Sequence, residues 1–502
     1  MFRSPRPAAR LAVVAALTLV MALGASPAYA AMSRSLVMSR AQHWVDLVIP
    51  YSQTTYRDLD GKSVSYSSGY RTDCSGFVSM SWNTFKPGYS TRTLQQTATP
   101  ITKEALQVGD ALVSYNYHAV IFGGWVPGTN RTKFYEYQMG SEVSPGDGTG
   151  MRIETYPGYS PKDSPYIPYR LNGITENIDY TGFIEPVEGA NRYKTAVAAS
   201  RSAFATGTAA AVVVASGENW PDALGASALA GVIGGPVLLT TPDSLPSEVA
   251  AEIKRLGAKE AIVVGGESSV SSRVFSALDS ITGVIATRVA GADRYETSAL
   301  IAGEAVRRKK LSGTYTGTVF VTTGVNFPDA LAASPLAAKS CWPILLTKPE
   351  ALSRDTSNAI KSIGANHVIV LGSASAVSTT TEADLDELLG DPLKVDRLQG
   401  KTRYDTGYEI ATYGLANCGL GMNGVAIATG ENFPDALAGG VMAARSGTVL
   451  MLTPPKWLDA DVADLLLKNA ATAGKPLVLG GVTSVLPIVR EAIALAVGSG
   501  VQ

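Results

Sequence analysis

The chain has 502 residues, more than the roughly 250–300 at which a single hydrophobic core stops growing, so several domains are expected. Hydrophobic residues make up 46% and charged residues 17%, which argues against intrinsic disorder. The 42 Lys+Arg against 43 Asp+Glu argue against a nucleic-acid binder, and three cysteines cannot make a disulfide-dense scaffold.

Residues 1–30 carry Arg3, Arg6 and Arg10, then the apolar run from Leu11 to Gly24, then Ala28-Tyr29-Ala30. This is the three-part layout of a secretory signal, with cleavage expected after Ala30. No later stretch reads as a spanning helix, so an exported protein with no membrane span after cleavage is expected.

Residues 31–178 are rich in Tyr and Ser and read as a separate domain. In Thr72-Asp73-Cys74-Ser75-Gly76-Phe77-Val78, Asp73 or Thr72 can cap a helix whose first turn holds Cys74. Peptide N–H groups aligned there are expected to lower the thiol pKa. The chain has three histidines, and His118 is the best placed as a partner. It opens the strand His118-Ala119-Val120-Ile121-Phe122, after the turn Val108-Gly109-Asp110 and a partner strand within 111–117. A Cys on a helix facing a His on a strand is the arrangement a cysteine hydrolase needs. Lys133-Phe134-Tyr135-Glu136-Tyr137-Gln138 reads as the adjacent strand, and Glu136 and Gln138 share a face from which either could hold the imidazole. His43 and His367 read as structural, and Cys341 and Cys418 as inert. No metal-ligand motif is present, so no metal or other cofactor is expected.

Asp-Cys-Ser-Gly-Phe-Val at 73–78, Gly109-Asp110 and His-Ala-Val-Ile-Phe at 118–122 resemble the NlpC/P60 superfamily of cell-wall cysteine peptidases, over about residues 35–170. The resemblance implies an α+β papain-like core that cleaves peptidoglycan stem peptides. It implies Cys74 as nucleophile, His118 as base and a polar third residue; Gln138 is chosen over Glu136 because third residues in the family are usually His, Asn or Gln. Tyr51 matches the family's upstream Tyr, and Tyr51, Asp73 and Ser75 are expected to line the substrate. The polar stretch from Gln53 to Arg71 replaces the family's Gly-rich, Trp-containing segment.

The rest of the chain repeats. Gly189-Ala190-Asn191-Arg192-Tyr193-Lys194-Thr195 returns around Arg294-Tyr295-Glu296-Thr297 and Arg403-Tyr404-Asp405-Thr406. A second signature, Gly217-Glu218-Asn219-Trp220-Pro221-Asp222-Ala223-Leu224, returns at 324–331 and 430–437 with Phe327 and Phe433 for the Trp. Short apolar strands alternate with longer helices, including one expected from Pro221, which predicts three α/β three-layer sandwich modules with mainly parallel sheets.

These signatures, with the strands 236–239, 343–346 and 449–452 and Val264-Gly265-Gly266, resemble the type 2 cell-wall-binding repeat of Gram-positive surface proteins. The resemblance implies three modules around a pseudo-threefold axis that hold an anionic secondary wall polymer. The candidates carried over are Arg192, Arg294 and Arg403, whose planar forks suit phosphate or carboxylate; intermodule ion pairs are the alternative use. The third unit departs from the pattern, with Gly400-Lys401-Thr402-Arg403 and Thr448-Val449. The expected organisation is a signal at 1–30, a catalytic domain at 31–178, and repeats at 183–286, 287–394 and 395–502. Together they imply a secreted peptidoglycan amide hydrolase of a Gram-positive wall. The competing expectation is a non-enzymatic surface protein with an inactive N-terminal domain.

Overall fold

The computed structural model describes residues 32–59, 61–126, 129–140, 148–158, 164–174, 180 and 182–498; the expected signal at 1–30 lies outside them. The chain forms two compact units, the first made of residues up to 179 with Pro487–Ala492 and the second of residues 180–486 with those from Ile493 on.

In the first unit, helix α1 (Arg34–Asp46) precedes a two-stranded antiparallel ribbon, β1 (Ser52–Arg57) and β2 (Tyr70–Thr72), and helix α2 (Cys74–Ser81). Six further strands follow: β3 (Ala98–Pro100), β4 (Ala111–Ser114), β5 (His118–Trp125), β6 (Lys133–Gly140), β7 (Gly148–Thr155) and β8 (Tyr166–Leu171). They form one antiparallel sheet in the order β3-β8-β4-β5-β6-β7. Alternation along β5 explains the layering, because successive side chains of a strand point to opposite faces. Ala119 and Ile121 join Trp44, Phe77, Met80 and Trp82 in the core beneath the helices. Val120 and Phe122 join Phe134 and Tyr166 in a second cluster. The Val108-Gly109-Asp110 turn is locked by the fully buried Asp110 carboxylate, which takes hydrogen bonds from Arg34 at 2.9 Å and Arg170 at 2.9 Å.

The second unit holds three parallel four-stranded sheets. Its strands are β9 (Glu185–Val187), β10 (Ala211–Ser216), β11 (Val237–Thr240), β12 (Glu260–Val264), β13 (Ile285–Val289), β14 (Thr318–Thr323), β15 (Ile344–Thr347), β16 (His367–Leu371), β17 (Val395–Leu398), β18 (Gly421–Thr429), β19 (Thr448–Thr453) and β20 (Leu477–Leu479). The sheet orders are β11-β10-β12-β13, β15-β14-β16-β17 and β19-β18-β20-β9. Each sheet thus takes its fourth strand from the segment leading into the next repeat, and the third takes it from the segment before the first. Leu477, Val478 and Leu479 pair with Glu185, Pro186 and Val187, closing the three repeats into a ring.

Helices Ala226–Ile233, Pro328–Ser340 and Pro434–Ser446 pack against one another pairwise and join the repeats. Their Ala- and Gly-rich sequences permit close approach: a Cβ at Gly231 would fall on the Ala338 carbonyl. Phe327 is the centre of an aromatic row, with ring centroids 5.8 Å from Trp220 and 6.2 Å from Phe433. The expected helix from Pro221 is corrected. Residues Pro221–Ala223 form a single 3₁₀ turn and the α-helix begins at Ala226, whereas Pro328 and Pro434 start continuous helices. Gly225 stands where the other repeats have Ala332 and Ala438, and Gly is the poorer helix former by about 1 kcal/mol.

Candidate active site and repeat signatures

Asp73 caps α2. Its backbone is extended, with φ -113° and ψ 176°, and its carboxylate accepts the Gly76 N–H at 2.6 Å and the Ser75 hydroxyl at 3.1 Å. This cap makes Cys74 the first residue of the helix, as the sequence predicts. The backbone N–H groups of Ala119, Ser75 and Cys74 face its sulfur. Because Ala119 follows His118, the Cys74 thiol lies against the start of the strand that carries the imidazole.

The expected lowering of the thiol pKa is corrected. Burial, with Cys74 only 8% exposed, and the neighbouring Asp73 carboxylate push the thiol up to about 11. The three N–H groups pull the other way and are outweighed, because removal from water penalises the thiolate more than partial charges of amides stabilise it. At neutral pH this thiol is protonated, so nucleophilic chemistry there requires a base.

His118 and Gln138 meet across β5 and β6, with Nε2 and Oε1 2.8 Å apart. With the amide oxygen as acceptor, Nε2 carries the proton, and Nδ1 is the basic nitrogen of the neutral ring. Glu136 shares the strand face but engages Arg152, whose Nε and Nη2 lie 3.1 Å and 3.0 Å from Oε1. Burial pushes the Glu136 carboxyl up to about 7, against the pull of Arg152. Of the two residues on this face, Gln138 is the one that touches the imidazole.

The residues expected at the substrate are differently disposed. Tyr51 is half-buried against the core beneath the helices, and its hydroxyl accepts from Gln53 at 3.2 Å. Asp73 and Ser75 bond to each other and to Arg71, which in the sequence is only the last residue of a polar stretch. An Arg two positions before a capping Asp is the signal that could have found it.

In the second unit the two repeated signatures come together. Arg192, Arg294 and Arg403 each donate from Nη1 to the carbonyl of the Gly opening the second signature of the same repeat, Gly217, Gly324 and Gly430. The third repeat therefore holds its Arg as the others do, despite Lys401 and Thr402. The Arg294 guanidinium also lies over the Trp220 ring of the preceding repeat, 5.4 Å from its centroid. Asp222 and Asp435 accept hydroxyl bonds from Ser269 at 2.7 Å and Ser484 at 2.9 Å, whereas in the second repeat Ala376 stands at the corresponding position near Asp329. Burial raises Asp435 and Asp329, and each is pulled down by an Arg of the following repeat in the ring, Arg192 and Arg403. A cavity of about 170 Å³ between the first and third repeats is lined by Asn191, Arg192, Thr195, Asn432, Asp435 and Ser484.

His367 pairs with Asp396 at 3.0 Å, and Cys341 and Cys418 are buried, unpaired thiols. Among the described residues no cluster of three or more His, Cys, Asp or Glu could hold a metal ion, and no helix is long and apolar enough to cross a membrane.

Three parallel α/β repeats, each joining an Arg-Tyr signature to an Asn-aromatic-Pro-Asp signature, define a repeat-built α/β module. The chain belongs to the cell wall binding domain 2 (CWB2) family, whose model matches residues 187–275, 288–382 and 397–489, more than half its length. It is 30% identical over 326 residues to the N-acetylmuramoyl-L-alanine amidase LytC of Bacillus subtilis, covering 64% of this chain and 61% of that protein. It is 28% identical over 327 residues to the Amidase enhancer of the same organism, covering 65% of this chain and 41% of that one. The chain thus spans less than two thirds of either relative. Among solved structures, Cwp8 from Clostridium difficile superposes with a TM-score of 0.55 at 30% identity, covering 63% of this chain and 52% of that one. Cwp6 from the same organism gives a TM-score of 0.54 at 20% identity, covering 77% and 63%, a likeness of fold.

Proposed function

We propose that this protein is a secreted, wall-anchored cysteine hydrolase of a Gram-positive bacterium that cleaves amide bonds in peptidoglycan stem peptides. The first unit is read as an NlpC/P60-type, papain-like domain. The observation that carries the reading is the Cys74 thiol at a capped helix start, against the strand that opens with a Gln138-oriented His118. The chain's similarity to an amidase supports the amide-hydrolase class.

In this mechanism His118 Nδ1 takes the proton of the Cys74 thiol as sulfur attacks the scissile carbonyl. The resulting imidazolium keeps its Nε2–H on Gln138 and gives the other proton to the leaving amine, after which water releases the acyl group from sulfur. The Cys74 backbone N–H at the helix start is the proposed oxyanion donor. The repeats hold the enzyme at an anionic wall polymer through Arg192, Arg294 and Arg403 and raise its local concentration on its substrate.

Release of soluble peptides from purified walls tests the reading. Wild type releases them, and Cys74→Ser and His118→Ala do not. The burial of Cys74 and its raised thiol pKa favour a second reading, a non-catalytic wall-binding protein, which predicts wall binding with no release by any variant.

A further inference from the structure

Arg71 is buried for a charged residue, its side chain 19% exposed, and its donors converge on the start of α2. Nε donates to Asp73 Oδ2 at 2.7 Å, and Nη2 donates to Ser75 Oγ at 3.1 Å and to the Tyr89 carbonyl at 2.7 Å. The Arg71 backbone N–H reaches the Pro87 carbonyl at 3.0 Å, and a Cβ at Gly76 would fall on the Arg71 carbonyl, so backbone and side chain both clamp the first helical turn. The other Asp73 oxygen takes Ser75 and the Gly76 N–H. Both oxygens of the cap are therefore satisfied within the clamp.

We propose that Arg71 is a positioning residue for the nucleophile: its one guanidinium fixes the cap that presents Cys74 and offsets part of the negative charge of Asp73 beside the thiol. This rests on reading Cys74 as the nucleophile. Asp73 on its own segment bears on the sulfur, and Tyr166 on β8 is close enough for its hydroxyl to feel a charge on Cys74. Arg71 on β2 is bonded to Asp73, and His118 on β5 directly precedes Ala119, whose N–H faces the sulfur. Arg71 and Asp73 form an ion pair, with Nε 2.7 Å from Oδ2. A guanidinium can hold a carboxylate, a hydroxyl and a carbonyl together.

The test is the pH dependence of Cys74 alkylation by iodoacetamide in the full chain, with peptide mapping to separate Cys74 from Cys341 and Cys418. Only the thiolate reacts, so the rate reports the charge balance at sulfur. Arg71→Gln is expected to slow alkylation about tenfold at fixed pH, the equivalent of one pKa unit. Asp73→Asn, which keeps a capping side chain, is expected to speed it. The double variant is expected within about threefold of wild type, because both charges are gone. An unchanged rate in Arg71→Gln, or a double variant as slow as Arg71→Gln, overturns the proposal. If Arg71→Gln does not fold, Arg71→Lys decides: a wild-type pH dependence upholds the charge role and a shifted one overturns it. Wall digestion with Cys74→Ser reads the hydrolase function separately from this thiol chemistry.

Discussion

His118 Nε2 and Gln138 Oε1 lie 2.8 Å apart on neighbouring strands, whereas Glu136, two residues away on the same face, is turned to Arg152. One strand face thus carries two carbonyl-bearing side chains with different partners. In the proposed reaction the amide fixes which imidazole nitrogen is basic, while the carboxylate belongs to an ion pair.

Gln138→Leu removes that hydrogen bond and should lower kcat for wall digestion by roughly 5–100-fold, the loss of about 1–3 kcal/mol, with a smaller change in KM. Glu136→Gln should leave kcat within about threefold and show its effect in thermal stability through the weakened pair with Arg152. Steady-state kinetics on solubilised wall fragments check both.

Asp329 gives a pH-dependent prediction. Burial raises its carboxyl from 3.8 to about 6, and the hydroxyl that Ser269 and Ser484 give the equivalent Asp222 and Asp435 is replaced by Ala376. The folded state holds this proton more tightly than the unfolded chain. Its contribution to stability is therefore fully present below about pH 4 and is lost as pH rises through 6. Ala376→Ser supplies a donor to the ionised form and should stabilise the repeat unit by about 1 kcal/mol at pH 7 and by much less at pH 4. Thermal melts at the two pH values measure the difference.

Arg192, Arg294 and Arg403 are held alike by Gly217, Gly324 and Gly430, which predicts similar single-site effects on wall binding. Replacing all three by Gln should reduce pelleting with purified walls far more than any single change, because attachment through three sites is multivalent. Wild-type binding should weaken with rising salt, as expected for ionic contact with an anionic polymer. Sedimentation of the variants with walls across salt concentrations checks this.

Ring closure through β9 and β20 predicts an effect far apart in sequence. Val187, 4% exposed, pairs with Leu479. Val187→Asp places an unpartnered carboxylate in that buried position and should destabilise the third repeat by several kcal/mol. Hydrogen exchange should then show loss of protection along β18 and β20, with β14 and β16 of the second repeat largely unaffected.

The repeats were the most legible part of the chain, because short apolar runs such as Ala211–Ser216 separated by longer helices specify buried parallel strands, and two signatures mark each copy. The pairing of β9 with β20 was not legible, since nothing local in Glu-Pro-Val indicates a partner nearly 300 residues later. The Asp73 cap of α2 was readable from residue type and spacing. The state of the thiol was not, because burial of Cys74 depends on β5 packing over the helix, and this outweighs the local N–H groups. The strand period placed Glu136 and Gln138 on one face, but which of them meets the imidazole depends on Arg152 from β7, which takes Glu136. The role of Arg71 was not legible for the same reason, its partners being set by a helix start and the carbonyls of a loop.

Digestion of purified peptidoglycan by the wild-type chain and by Cys74→Ser, with mass spectrometry of the released fragments, separates a Cys74-dependent hydrolase from a wall-binding protein. Fragments from cleavage of stem-peptide amide bonds are expected with wild type and none with Cys74→Ser, while both proteins bind the wall equally. Identical fragment patterns from the two proteins, or no fragments from either with wall binding retained, would contradict a Cys74-dependent hydrolase.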